Sequence, residues 1–172
     1  MMKVITGDIT ELEVDAIVNA ANCTLLGGGG VDGAIHAAAG PELVKACAVF
    51  GGCPTGEARI TPGFRLPAKY VIHTPGPVWH GGTRGERELL KSCYVNSLRL
   101  AAEKACVSIA FPCISTGVYR FPKNAAAEIA VSTVLAWHGE FPREIIFCCF
   151  SETDASIYRE VVSRLSSAAA DF

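Results

Sequence analysis

Residues Val14 to Gly40, VDAIVNAANCTLLGGGGVDGAIHAAAG, decide how the chain is read. An apolar run from Val14 to Asn19 leads through Asn22 to four consecutive glycines, Gly27 to Gly30. Val31, Asp32 and Gly33 then open a small-residue segment that carries His36. Four glycines in a row lose too much conformational freedom to suit a helix or strand interior. They suit a loop whose backbone amides approach a ligand closely. A helix that starts directly behind such a loop points free amides and the positive end of its dipole at an anion. The stretch therefore reads as strand, phosphate cradle and helix, with Asp32 at the cradle's edge. The plainer reading is a flexible turn with Asp32 as the helix N-cap.

Outward from this stretch, strand-like and helix-like segments alternate. Lys3 to Thr6 and Val14 to Asn19 read as strands, separated by a short turn around Gly7-Asp8-Ile9-Thr10. Asp32 to Ala39 and Pro41 to Phe50 read as helices, the second with proline in its first turn. Glu57 to Ile60, Lys69 to His73, Val107 to Cys113 and Glu144 to Phe150 read as strands. Thr83-Arg84-Gly85-Glu86 has the form of a capping box and opens a helix to about Ala105. Lys123 to His138 and Thr153 to about Ser167 are further helices, and Ala168 to Phe172 is expected to fray. Strands rich in Val, Ile and Phe, each followed by a helix, predict an α/β fold with the sheet covered on both faces. The first segments are so close in sequence that the sheet is expected to be mixed. No repeat or linker divides the chain, so one domain is expected to cover residues 1–172, with its core over about 3–165.

A second loop follows the same logic. The strand ending near Cys113 runs into Ile114-Ser115-Thr116-Gly117-Val118-Tyr119-Arg120-Phe121-Pro122, and a helix follows. Ser, Thr and Gly between a strand and a helix again offer amides and hydroxyls. Ligands of open α/β sheets sit outside the carboxyl ends of the strands. Two such loops suggest a diphosphate. Taken alone, Ser115 to Gly117 also reads as a plain connection.

Composition narrows the function. Of 172 residues, 50% are hydrophobic and 19% charged, which is a globular composition. The net charge of −2 does not favour sequence-independent nucleic-acid binding. No apolar run is long enough to span a bilayer, and no signal-peptide core follows Met1-Met2-Lys3. A cytoplasmic protein is expected. The eight cysteines contain no C-x-x-C and mostly lie in apolar runs, so they read as reduced core thiols. The histidines show no metal-ligand spacing. A P-loop would need Gly-Lys-Ser/Thr where this chain has Val31-Asp32. The match of Gly28 to Gly33 to G-x-G-x-x-G is weak, because a glycine tract satisfies many patterns. The G-x-S-x-G of serine hydrolases is absent.

Together, NAANCTLLGGGGVDGAIHAAAG and PCISTGVYRFP resemble a macrodomain of the MacroD type. The opening GDIT, the element PAKYVIHTPGP and the terminal FSETDASIY also fit, so the resemblance covers about Lys3 to Leu165. It implies a three-layer α-β-α sandwich with a mixed, mostly parallel six-stranded sheet and ADP-ribose bound across its crest. It implies hydrolysis of ADP-ribosyl esters, namely O-acetyl-ADP-ribose and mono-ADP-ribose on acidic side chains of proteins. The expected partners are these ligands and mono-ADP-ribosylated proteins, with no membrane or nucleic acid and a monomeric chain. The zinc-dependent subclass interrupts the glycine tract with Cys and His, and this chain does not. No metal and no cofactor are therefore expected.

The resemblance also distributes roles. Asp8 corresponds to the acid that reads adenine, beside the amide of Ile9, against a plain reading as a solvated turn residue. Asn22 corresponds to the asparagine that bonds the distal ribose, against a loop brace, which is also the expected role of Asn19. Gly30, Val31 and Asp32 match the catalytic loop. Asp32 faces the ribose, as a general base for water or as a stabiliser of positive charge developing there. His36, one helical turn on, tunes or positions that acid, against a packing histidine. Ser115, Thr116, Gly117, Val118 and Tyr119 match the loop that wraps the diphosphate, with Tyr119 beside the ribose. Phe150 matches the aromatic that packs on adenine, against an ordinary core residue. Arg120 departs from the family, which usually has glycine there, and is expected to stay solvated. Two other readings stay open: a non-catalytic ADP-ribose reader, and a generic adenine-nucleotide or RNA-binding module.

Overall fold

The structure, a computed structural model, describes residues 1–170. Six strands form one sheet: β1 (Met2–Thr6), β2 (Ala16–Ala21), β3 (Arg59–Pro62), β4 (Tyr70–Pro75), β5 (Ser108–Phe111) and β6 (Glu144–Cys149). Their spatial order is β1-β6-β5-β2-β4-β3. All neighbours run parallel except β3, which is antiparallel to β4. The helices are α1 (Gly30–Ala39), α2 (Glu42–Ala48), α3 (Glu86–Glu103), α4 (Lys123–Leu135) and α5 (Glu152–Ala170). The expected mixed, mostly parallel sheet between helical layers is therefore present.

Alternation along each strand separates two cores. On one face Ile17, Val71, Ala110 and Ile146 meet Ile35 of α1 and Leu43 of α2. On the other, Val18, Ile72, Phe111 and Phe147 meet Tyr94 of α3, Val131 of α4 and Tyr158 of α5. Successive residues of β2, β4, β5 and β6 thus serve opposite cores, so register is strongly fixed. Alanine favours helix in α1, and Gly40, at φ +90°, ends it with its amide donating to the His36 carbonyl at 3.2 Å.

Several boundaries differ from the sequence reading. β2 begins at Ala16 and continues to Ala21, which places Asn19 inside the strand rather than at its end. β5 stops at Phe111, because Pro112 has no amide to offer a ladder. α2 ends at Ala48, just ahead of Gly51 and Gly52 at positive φ. α4 ends at Leu135 and β6 at Cys149. α5 continues to Ala170, and the last two residues lie outside the described ones.

The capping box at α3 is also a correction. Gly85, in the left-handed region, is the N-cap and makes no side-chain bond. Glu86 is the first helical residue rather than the third, so its carboxylate cannot close a box with Thr83. It is buried instead and accepts the backbone amides of His80, Gly82 and Arg84. It thereby gathers the loop between β4 and α3.

Candidate functional site

Five parallel strands leave their carboxyl ends along one edge of the sheet, where ligands of such folds sit. Asp8 and Ile9 follow β1, Phe150 follows β6, Ser115 to Tyr119 follow β5, and Asn22 to Asp32 follow β2. Because the order is β1-β6-β5-β2, these groups fall in one row along the crest. The Gly7 amide donates to the Cys149 carbonyl at 3.0 Å, so Asp8 and Phe150 leave adjacent strands side by side.

The glycine tract forms the turn between β2 and α1. Gly27 and Gly30 have φ of +95° and +58°, which side chains rarely tolerate. A Cβ at Gly33 would lie 2.5 Å from the Gly28 carbonyl oxygen, so the loop rests directly on α1. A Cβ at Gly28 would lie 3.1 Å from Asp32 Oδ2 and 3.3 Å from Asn22 Nδ2. Asp32 and Asn22 therefore converge beneath Gly28. The first amides of α1 have no acceptor within the helix, and they open onto this loop.

Asp32 lies in the first turn of α1 and is 4% exposed. It is not the N-cap; that position belongs to Gly29, which has no side chain to cap with. Asp32 Oδ1 accepts a hydrogen bond from Asn19 Nδ2 at 2.8 Å and lies 3.3 Å from His36 Nε2. Its other oxygen is the one beside Gly28. His36, one turn further along α1, thus stands against Asp32 as the spacing implied, with its side chain only 15% exposed.

The two asparagines have different surroundings. Asn22, the first residue past β2, donates to the Gly27 carbonyl at 2.8 Å. It also accepts from the Thr24 amide at 3.1 Å and the Thr24 hydroxyl at 2.5 Å. These bonds tie Asn22 to the loop that follows it. Asn19 braces no backbone: it is fully buried under α1 and bonds Asp32 and His73. β2 lies two residues later than expected, and alternation along it puts Asn19 on the same face as Ile17.

In the second loop, Ser115 is buried at φ +67° and its Oγ has no partner among the described residues. A Cβ at Gly76 would lie 2.2 Å from that Oγ, so glycine there makes room for Ser115. The Thr116 hydroxyl donates to the Cys113 carbonyl at 3.3 Å. The amides of Phe121 and Arg120 donate to the Ser115 and Gly117 carbonyls at 2.9 and 3.0 Å. Val118 is 91% exposed at the tip. The Tyr119 carbonyl accepts the Trp79 amide at 2.8 Å, and the Trp79 ring packs on Phe121 with centroids 4.7 Å apart. The loop that Glu86 gathers thus supports the loop that carries Tyr119. Arg120 is exposed at φ +62° and pairs with no carboxylate among the described residues.

At the far end of the row Phe150 is 92% exposed, so the plain core reading does not hold. Asp8 is also exposed; its Oδ1 accepts the Thr10 hydroxyl at 2.6 Å and amide at 2.9 Å. These bonds hold its carboxyl below the usual aspartate range. Asp8 thereby caps a single 3-10 turn, Ile9–Glu11, and Ile9 is buried.

The sequence reading passed over His73 and Thr61. Both are buried on the α1 face of the sheet, where they extend the contacts of Asn19. For His73 the signal was present, as a polar residue at a strand position whose neighbours two away, Val71 and Pro75, are apolar. All eight cysteines are free, and Cys23 departs from the core reading by being exposed. Among the described residues, no three His, Cys, Asp or Glu side chains gather to hold a metal ion. Nor is any helix long and apolar enough to cross a membrane.

Known proteins share this arrangement. Residues 18–130 match the family described as Macro domain. A macro domain-containing protein of Chlorobaculum tepidum is 59% identical over 165 residues, 95% of this chain and 96% of that protein. An O-acetyl-ADP-ribose deacetylase of Klebsiella pneumoniae is 59% identical over 167 residues, 94% of this chain and 95% of that protein. The Oceanobacillus iheyensis macrodomain with ADP superimposes at a TM-score of 0.90 with 47% identity, covering 96% of this chain and 91% of that one. The Trypanosoma brucei macrodomain in complex with ADP-ribose does so at 0.87 with 46% identity, covering 94% and 68%. The chain belongs to the macro domain family.

Proposed function

We propose that this chain binds ADP-ribose along the crest and hydrolyses ADP-ribosyl esters, as a MacroD-type enzyme. The substrates are O-acetyl-ADP-ribose and mono-ADP-ribose on acidic side chains of proteins. One observation carries the reading: Asp32 is held by Asn19 on one oxygen and presents the other beneath Gly28, next to Asn22. A relative named as an O-acetyl-ADP-ribose deacetylase, identical at 59% of positions, supports it.

The row of residues supplies one contact set for each part of the ligand. Adenine lies between Asp8 and Phe150, with the Ile9 amide donating to its ring. The diphosphate lies between the first-turn amides of α1, at Gly30 and Val31, and the loop Ser115 to Tyr119. Both loops offer amides to negative charge. The distal ribose then falls at Asn22, Asp32 and Tyr119. Asn22 exchanges its bonds within the loop for bonds to ribose hydroxyls.

Water enters beside the free oxygen of Asp32, which orients it and takes its proton as general base. The water oxygen attacks the ester carbonyl. The bond from that carbonyl to the ribose oxygen breaks, the ribose oxygen takes up the proton, and a carboxylic acid and ADP-ribose are released. His36 and Asn19 hold Asp32 while the loops fix the ribose, and such positioning contributes several orders of magnitude in favourable cases.

The test is turnover of both O-acetyl-ADP-ribose and a protein ADP-ribosylated on glutamate, following free ADP-ribose. Binding of ADP-ribose with no release from either substrate would make the chain a reader. Comparable calorimetric affinity for ADP-ribose, AMP and oligo-adenylate would overturn the ADP-ribose reading itself.

A further inference from the structure

His73 lies on β4 in register with Asn19 of β2, and no part of it reaches solvent. Four elements close over it. β2 contributes Asn19, β3 contributes Thr61, α2 contributes Cys47, and α1 contributes His36 with its ring centroid 6.4 Å away. Asp32, also on α1, is the carboxylate on the far side of Asn19. Burial disfavours a charged ring, and His36 adds to the effect, so the His73 pKa is held down at about 3. The ring is neutral at physiological pH.

A neutral imidazole has one donor and one acceptor, and its neighbours decide which is which. Asn19 Nδ2 lies 3.2 Å from Nδ1 and brings only hydrogens, so Nδ1 accepts. The ring proton is then on Nε2, 3.0 Å from Thr61 Oγ1. Asn19 Nδ2 has a second hydrogen, which goes to Asp32 Oδ1 at 2.8 Å. Turned over, the Asn19 amide would set its oxygen against both the carboxylate and the Nδ1 lone pair. Its Oδ1 is left buried without a partner among the described residues, and that orientation persists because Nδ2 has two acceptors.

We infer that His73, whose Nδ1 accepts the second hydrogen of Asn19 Nδ2, is a positioning residue that sets the Asn19 amide and so aims Asp32 at the ribose end. This rests on the reading of Asp32 as the carboxylate that activates water. His73 reaches no ligand. A proton on Nδ1 instead would call for the oxygen of Asn19, turn the amide, and release Asp32 Oδ1. The Thr61 hydroxyl, which can donate or accept, takes the Nε2 proton that this arrangement leaves.

The experiment uses His73→Phe, which keeps a ring and removes the Nδ1 acceptor, and His73→Gln, which returns an acceptor oxygen. Long-range nitrogen–proton spectra of histidine-labelled protein read the tautomer without substrate. Wild type should show the proton on Nε2. His73→Phe should lower kcat on O-acetyl-ADP-ribose by about tenfold to a hundredfold, with ADP-ribose affinity little changed. His73→Gln should recover part of that loss. A wild-type proton on Nδ1, or a folded His73→Phe protein with normal kcat, overturns the inference. Wild type that binds ADP-ribose without turnover overturns the esterase reading instead. The spectra then still decide whether His73 Nδ1 accepts from Asn19.

Discussion

The Gly28 carbonyl oxygen leaves no room for a side chain at Gly33, where a Cβ would sit 2.5 Å away. Loop and helix meet backbone to backbone at that point. The contact lowers the glycine tract onto α1 and sets Gly28 over Asp32 and Asn22. Gly33 is therefore part of the cradle although its own φ is not in the left-handed region.

Gly33→Ala should lift the tract from the helix. Affinity for ADP-ribose should fall by about tenfold, ~1.4 kcal/mol, and overpacking should cost about 1–3 kcal/mol of stability. Calorimetry and urea unfolding measure the two. Unchanged affinity would mean that the loop yields without moving the binding amides.

Asp32→Ala should lower kcat by about a hundredfold or more, the scale of a lost general base, while ADP-ribose affinity changes far less. A group used mainly in the transition state shows itself in kcat. A variant that binds weakly but turns over normally at saturation would make Asp32 a binding residue.

Arg120 holds φ at +62°, a conformation that glycine adopts freely. Arg120→Gly should therefore stabilise the fold, by up to about 1 kcal/mol once glycine's extra unfolded freedom is set against it. The change in kcat/KM should stay below about tenfold, ~1.4 kcal/mol, because the side chain is exposed and unpaired. A rise well beyond that would show that arginine obstructs the ribose end.

Glu86 gives a pH signature. Desolvation raises its pKa, but the amides of His80, Gly82, Arg84 and its own residue outweigh this and hold it at about 2, against an ordinary 4.5. A folded pKa below the unfolded one stabilises above the unfolded value, and the gain is lost as pH falls through the folded one. Glu86→Gln should thus melt below wild type at pH 7, and the two should converge as pH drops from 4.5 towards about 2. A constant gap across that range would mean that the carboxylate's charge contributes nothing.

Much of this site was legible because its pieces are local. The glycine tract, Asp32 and His36 lie within one loop and one helical turn, where spacing fixes geometry. Phe150 was not settled by position, since an aromatic at a strand end packs inward or outward according to where the strand stops, and β6 stops at Cys149. Asn19 and Asn22 are three residues apart, and their surroundings depended on whether β2 ended at Asn19 or ran on to Ala21. His73 and Thr61 meet Asn19 only through pairing among β2, β4 and β3, which no local pattern encodes. Thr83 and Glu86 had the right spacing for a box, but the motif does not state where the helix begins.

The crest is assembled from both ends of the chain, since β6 lies between β1 and β5. On the ribosome, the glycine tract and Asp32 emerge early, whereas residues 144–149 come after every other strand. Until then β1 has no neighbour and one edge of β5 stays bare. A nascent chain stopped before Glu144 would carry the whole proposed hydrolytic apparatus and no place for the base. It would also expose two open strand edges to other chains, the hazard that a finished sheet contains. The last strand to be made therefore both completes the proposed nucleotide site and covers the facing edges of β1 and β5.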